Sequence, residues 1–338
     1  MSQSDQCIPA VWDLPNHCTG APDTHWVQLI SQSIRLNDII KPQWDWPLNF
    51  DLIDLALKQG PLIVNACLDP INHHENHVVD ELLKITNNFV VLSGDATYFM
   101  QPKKHICFFP FWYLSQKLNN APESTSGNQR SYKVSSLNGR PRYHRIENFI
   151  KLREKPYFNK ILVSMHNSFD MRNEKRETPL EFWNKDIVKQ FELLLTSTEL
   201  QEGHTNDHST IHPAYTDSYV NYVTETSIVD GLIFSSEKTW KPVRAGQFAI
   251  WLSNPGHVKF LRSIGFDVFD DIIDHSYDDE RNLHHRIDMI HNLLDHVMSM
   301  DLAQIFQDTL ARRQSNIDRF YSDDLEQLLT TQCNEYRL

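Results

Sequence analysis

Three arginines and a histidine crowd one short stretch, Leu137-Asn-Gly-Arg-Pro-Arg-Tyr-His-Arg145. They follow a β-type run and open a helical one. Backbone N–H groups at a helix start attract anions, and arginine forks grip phosphate oxygens in pairs. Arg140, Arg142 and Arg145 therefore suit a diphosphate. The alternative is a solvated basic loop, although arginines at a helix start oppose the helix dipole and need a reason to be there. A second cluster is Phe234-Ser-Ser-Glu-Lys-Thr-Trp-Lys-Pro-Val-Arg-Ala-Gly246. Here an apolar run, 231–234, reads as a strand that enters a polar turn and then a helix carrying Lys238 and Lys241. Such a turn presents Glu237 to ribose hydroxyls and Lys238 to phosphates, and Gly246 caps the helix. The competing reading is a surface helix with an i, i+4 pair, Glu237 to Lys241.

Proton acceptors are sought at strand ends. Asp69 in Cys67-Leu-Asp-Pro70 and Asp95 in Leu92-Ser-Gly-Asp95 qualify, and both fit the commoner role of a turn or helix cap. Ile71-Asn-His-His-Glu-Asn-His77 invites a metal reading, with His73 and His77 at i, i+4. The His-Glu-x-x-His pattern fails by one residue, because position 78 is Val78. His204, His208 and His212 fall in a polar loop. Asp270-Asp271 and Asp278-Asp279-Glu280 suggest metal, yet fit caps and solvated helix ends better. No G-x-G-x-x-G and no P-loop are present, so kinase, NAD and ATPase readings lack support. No metal site is expected.

These residues need a scaffold, and the hydrophobic pattern supplies one. Continuous apolar runs at 61–68, 88–93 and 105–109 read as strands buried on both faces. Helical spacing at 52–57 and 76–85 alternates with them. A polar stretch, 119–129, is the best linker. Beyond it, strands at 132–137, 160–165, 219–224 and 248–252 alternate with helices at 145–152, 179–195, 238–245 and 257–264. From 278 onward the pattern is helical. Strand–helix alternation, twice over, predicts two α/β units with largely parallel sheets, whose ligands bind beyond the strands' carboxyl ends. The expected divisions are 1–130, 131–295 and a helical 296–338.

The chain has 338 residues and a net charge of −12, from 32 basic and 44 acidic side chains. That acidity argues against a broad nucleic-acid surface, leaving only modest patches such as Lys103-Lys104. The five cysteines, at 7, 18, 67, 107 and 333, are scattered and lack a C-x-x-C pair. Reduced thiols in a cytoplasmic protein are expected. The opening residues show no signal peptide, and no apolar run is long enough for a membrane span.

Three runs together carry a family resemblance. They are Ser235-Ser-Glu-Lys-Thr-Trp-Lys-Pro, then Ala245-Gly-Gln-Phe-Ala-Ile, then Asn254-Pro-Gly-His-Val-Lys-Phe-Leu-Arg-Ser-Ile-Gly-Phe266. They resemble the donor-binding half of GT-B-type glycosyltransferases. The likeness is nearest to the α1,3-fucosyltransferase-like and exostosin-like motif and to related bacterial and phage transferases. Leu137 to Arg145 and Phe266 to Tyr277 fit the same pattern. The resemblance spans about 132–295 and is specific over 219–281.

It implies two Rossmann-like domains facing a cleft, with C-terminal helices, and transfer of a sugar from a nucleotide-diphosphate donor to an acceptor hydroxyl. The acceptor is a glycan, or a modified base in phage DNA. By this resemblance Glu237 holds the ribose, Lys238 the diphosphate, and Arg142 or Arg145 neutralises the leaving group. Arg140, Ser236 and Lys241 line the donor site, and Glu225 faces the donor sugar. Asp69 or Asp95 serves as base from the N-terminal domain. No divalent metal is expected. Position 245 is Ala245, so the paired-glutamate pattern of retaining enzymes is absent and inversion is expected. Ser-Ser-Glu-Lys stands where fucosyltransferases carry Tyr-x-Thr-Glu-Lys, which leaves nucleotide and sugar unnamed. The alternatives are a non-catalytic nucleotide- or glycan-binding module and a metallohydrolase built on His73 and His77.

Overall fold

The structure is a computed structural model. It describes residues 34–35, 50–58, 60–67, 74–118, 129–139, 141–165, 184–195, 211–228 and 230–335. The chain divides into two compact units, Met1–Phe111 with Leu329–Leu338, and Trp112–Leu328. Of the expected linker, 119–128 lies outside the described residues.

The first unit holds a four-stranded sheet of β1 (Ile34–Arg35), β2 (Leu62–Ala66), β3 (Phe89–Ser93) and β4 (Ile106–Phe108). The strands run in that order and all pairs are parallel. Every residue of β2, β3 and β4 is buried, which is why these runs carry no polar alternation. Helices α1 (Phe50–Leu57) and α2 (His74–Leu83) supply the apolar faces that cover the sheet. Ile53, Val78, Val79 and Leu82 pack with Leu62, Val64, Val91 and Ile106. A single turn, α3 (Thr97–Met100), links β3 to β4, and α4 (Phe111–Lys117) leads out of the unit. Among the described residues, Cys67, Cys107 and Cys333 are buried thiols that form no disulfide.

The second unit is built on β5 (Tyr132–Asn138), β6 (Leu162–Met165), β7 (Ser218–Thr224) and β8 (Phe248–Leu252). These form one parallel sheet in the order β6-β5-β7-β8. The chain steps one way from β5 to β6 and then crosses back beyond β5 to β7 and β8. The strand order therefore reverses between β5 and β7, and open α/β sheets bind ligands at that point, outside the strands' carboxyl ends.

Helices α5 (Tyr143–Arg153), α6 (Lys185–Leu195), α7 (Ala214–Asp217), α8 (Glu237–Arg244) and α9 (His257–Ser263) flank the sheet strands in sequence. Four more follow: α10 (Leu283–Ser299), α11 (Leu302–Asp308), α12 (Leu310–Tyr321) and α13 (Asp323–Glu335). The strand expected over 231–234 is not one. Leu232, Ile233 and Phe234 are buried, but side chains hold this backbone, with Asn254 Oδ1 accepting from Phe234 N–H at 3.1 Å. No described helix is long and apolar enough to cross a membrane.

The amino-terminal end of this sheet is closed by buried cations bound to carbonyls. Arg130 donates to the carbonyls of Tyr215 and Ser218. Arg313 donates to those of Gly246 and Phe306, and the Phe306 ring lies between the two guanidiniums. The carboxyl end is organised differently.

Candidate functional site

The carboxyl ends of β5 and β7 are tied together by Thr224 Oγ1, which donates to Asn138 Oδ1 at 2.5 Å. The chain then leaves β5 through Gly139 and Pro141 into α5, with Arg142 as the residue before the helix. Arg142 and Arg145 are 7% and 2% exposed, so the solvated-loop alternative fails. Arg145 Nη2 donates to the carbonyls of Thr224 and Glu225, each at 3.0 Å. His144 Nε2 donates to the Glu225 carbonyl at 2.9 Å. Burial and the neighbouring Arg145, Arg142 and Arg286 push this imidazole well below its ordinary pKa, so the ring is neutral. Arg140 lies outside the described residues.

Glu225 sits at the end of β7 and is fully enclosed. Its Oε2 accepts from Thr226 N–H at 2.8 Å and Ser236 Oγ at 2.7 Å. Its Oε1 accepts from Ser236 N–H at 3.1 Å and from the Thr239 hydroxyl at 2.5 Å. Four donors thus meet two oxygens, enough to offset burying a charge. This corrects the expectation that Glu225 faces the sugar: its carboxylate holds the first turn of α8. Thr239 Oγ1 accepts in turn from His257 Nε2 at 3.1 Å. His257 is completely buried, and its pKa falls to about 4 because burial disfavours the charged ring.

Ser236 caps α8, its hydroxyl accepting from Lys238 N–H. Glu237 and Lys238 follow at the helix's amino end. The Lys238 ammonium lies 2.6 Å from Glu237 Oε1, with 12% of the lysine side chain exposed. Glu237 and Lys241 are each 1% exposed, which rules out the solvated i, i+4 pair. The far face of α8 is anchored by Trp240, whose ring meets Tyr113, Phe266 and Phe320. Arg244 reaches Tyr321 and Gln116. Gly246 ends the helix at φ +59°, as its cap role requires.

The structure therefore brings Arg142, Arg145, Glu225, Ser236, Glu237 and Lys238 to one sheet end at the switch point. Sequence reasoning overlooked two members of the neighbourhood, His144 and Arg286. His144 stood inside the arginine cluster, where a functional reading of the arginines eclipsed it. Arg286 stood in a helical run among charged residues and carried no signal of burial.

The proposed bases fare differently. Asp69 is outside the described residues. Asp95 caps the turn into α3, its Oδ1 accepting from Thr97 N–H at 2.9 Å. His73, His204, His208 and the side chain of His77 are likewise outside the description. His212 Nδ1 accepts from Ala214 N–H and so serves the start of α7.

The acidic pairs resolve as structural. Asp278 accepts from Val258 and Lys259 N–H at the start of α9. Asp270 pairs with Arg262, and Asp271 with Arg312. Among the described residues no group of three or more His, Cys, Asp or Glu side chains is arranged to hold a metal ion.

Comparison with family models, with curated proteins and with solved structures returns no match to this chain.

Proposed function

We propose that the chain is a GT-B-type glycosyltransferase that moves a sugar from a nucleotide-diphosphate donor to an acceptor hydroxyl, with inversion and without a divalent metal. One observation carries the reading. Glu237 and Lys238 open a helix at the end of β7, beside the Arg142 and Arg145 pair that opens the helix after β5, and the strand order reverses between those two strands.

Sugar transfer breaks the bond between the anomeric carbon and the diphosphate oxygen, and the departing diphosphate gains negative charge. Fixed cations near that oxygen stabilise the transition state more than the ground state. Lys238, Arg142 and Arg145 have the charge for this. Glu237 is suited to accept from ribose hydroxyls once Lys238 turns to the phosphates. The acceptor oxygen attacks the anomeric carbon and gives its proton to a carboxylate, for which Asp69 and Asp95 remain the candidates.

The test is thermal stabilisation by UDP, GDP, CDP, ADP and TDP, with and without EDTA. One nucleotide should raise the midpoint regardless of chelator, by about 2.7 kcal/mol of stability at 100 times its Kd. Glu237→Ala should lose the shift and Lys238→Ala should abolish transfer. Binding without turnover against any acceptor would indicate a non-catalytic module. No shift with any nucleotide would reject the donor site.

A further inference from the structure

Two of the buried thiols meet. Cys107 lies in β4 and Cys333 in the last turn of α13, 226 residues apart in the chain. Both belong to the first unit. Their sulfurs stand 3.0 Å apart, and the residues are 0% and 3% exposed. A disulfide bond is about 2.05 Å long, so closing this pair takes a movement of about 1 Å. One acceptor also fixes where both sulfurs point. The Phe108 carbonyl accepts from Cys107 Sγ at 3.4 Å and from Cys333 Sγ at 3.3 Å. Zinc takes four ligands in a structural site, and among the described residues no third His, Cys, Asp or Glu joins these two sulfurs.

The residue beside Cys333 shows what the contact holds. Gln332 Oε1 accepts from Phe108 N–H at 3.0 Å. Gln332 Nε2 donates to the carbonyls of Tyr98 at 2.8 Å and Phe99 at 3.4 Å. The last turn of α13 thus grips β4, the end strand of its sheet, and also α3, the turn that Asp95 caps. Hydrogen bonds make this grip, and the sulfur pair next to it is placed to make it covalent.

We propose that Cys107 and Cys333 are an oxidation site, and that a peroxide converts them to a reversible disulfide clasping α13 to β4. Cys333, the one of the two that is not fully enclosed, reacts first. Its sulfur, as thiolate, attacks one oxygen of hydrogen peroxide. The O–O bond breaks, one water leaves and a sulfenic acid remains. The sulfur of Cys107 then attacks the sulfenic sulfur, the S–O bond breaks and a second water leaves. Two S–H bonds are lost and one S–S bond forms; the sulfurs give up two electrons and the peroxide accepts them. A dithiol reverses the step by exchange. In a reducing compartment such a bond is transient, the usual form of a redox-sensing disulfide. The clasp is independent of the donor-site reading, since both thiols and everything they hold lie in the first unit.

The test uses the wild-type chain, so it does not hang on a variant that folds. The reduced protein is exposed to hydrogen peroxide, alkylated in denaturant and digested without reductant. Mass spectrometry should find the Cys107 peptide joined to the Cys333 peptide as the main cross-link, and dithiothreitol should release it. Cys67 is the internal control. It is equally buried, but its thiol is directed at Asn65 Oδ1 at 2.9 Å, and it should be recovered fully alkylated. Amide exchange at 97–100 and 106–109 should slow about tenfold or more in the oxidised protein and recover on reduction. The melting midpoint should rise by about 5 °C. Cys107→Ala and Cys333→Ala should each abolish the cross-link and both effects.

Full alkylation of Cys107 and Cys333 after peroxide overturns the proposal. So does recovery of either as a sulfinic acid, or cross-linking chiefly to another cysteine. A Cys107–Cys333 bond that leaves amide exchange and the midpoint unchanged overturns it too, because that bond would clasp nothing.

Discussion

Single side chains in this sheet end divide into those that hold and those that reach. Glu225 and Thr239 hold, because their polar atoms are spent on Ser236, Thr226 and His257. Thr239→Val removes one donor from a buried carboxylate and should cost about 1–3 kcal/mol, read as a lower urea midpoint. Thr239→Ser should recover most of it. Lys238 reaches, and its removal should leave stability nearly intact while ending transfer. Asp95 tests the same distinction in the first unit. Asparagine caps a turn as well as aspartate does but cannot take a proton. Asp95→Asn should keep the melting temperature and lower turnover about a hundredfold or more. Unchanged turnover would leave Asp95 a cap alone.

At the scale of elements, the parts most legible in the sequence were those whose burial dictates composition. Residues 62–66, 89–93 and 248–252 are buried on both faces, and a strand so placed reads as a near-continuous apolar run, broken here by Asn65 and Ser93 alone. The run 231–234 misled for the same reason: it is apolar and buried, yet its N–H at Phe234 is answered by a side chain, which composition cannot reveal. The expected helix at 179–195 begins, where described, at Lys185. The short helix at Phe111–Lys117 went unread because its first four residues are all aromatic or leucine and the run merged with the apolar residues of β4. The donor motif was legible as chemistry, whereas Glu225's role as a brace was not, because four donors from three residues meet only in the folded chain. Helix α8 also shows how a cap can be tested. Gly246 adopts φ +59°, and a Cβ there would meet Ile317 Cδ1 at 3.2 Å. Gly246→Ala should destabilise by about 1–2 kcal/mol, and Ile317→Val should return only the part due to crowding.

For the molecule as a whole, acid should be the sharpest stress between pH 6.5 and 4. His257 and His291 are buried with pKa values lowered to about 4, and His144 is lowered well below 6.5. In each case burial penalises the charged ring. The unfolded chain binds these protons at the ordinary value of 6.5, whereas the folded chain refuses those of His257 and His291 until near 4 and holds His144 neutral well below 6.5. The unfolded state therefore carries more protons in that window, and stability falls as pH drops through it. Above 6.5 the three rings contribute no pH dependence. Urea unfolding at pH 7, 6, 5 and 4.5 should show the decline, and His291→Gln should reduce its slope by about one proton per molecule.

The division of the chain also sets the order in which the protein can be made. Strand β4 is the last strand of its sheet, and its Phe108 N–H is answered by the side-chain oxygen of Gln332, 224 residues later. The same amide donates to the Tyr98 carbonyl, and residues 329–338 are counted in the first unit. On the ribosome, at about 5–20 residues per second, the first sheet waits roughly 10–45 s for the piece that closes its edge. An open strand edge invites pairing with other chains. The first unit is thus translated well before the residues near Gln332 that complete it, so chains stopped near Leu328 should accumulate as aggregates rather than as a folded half.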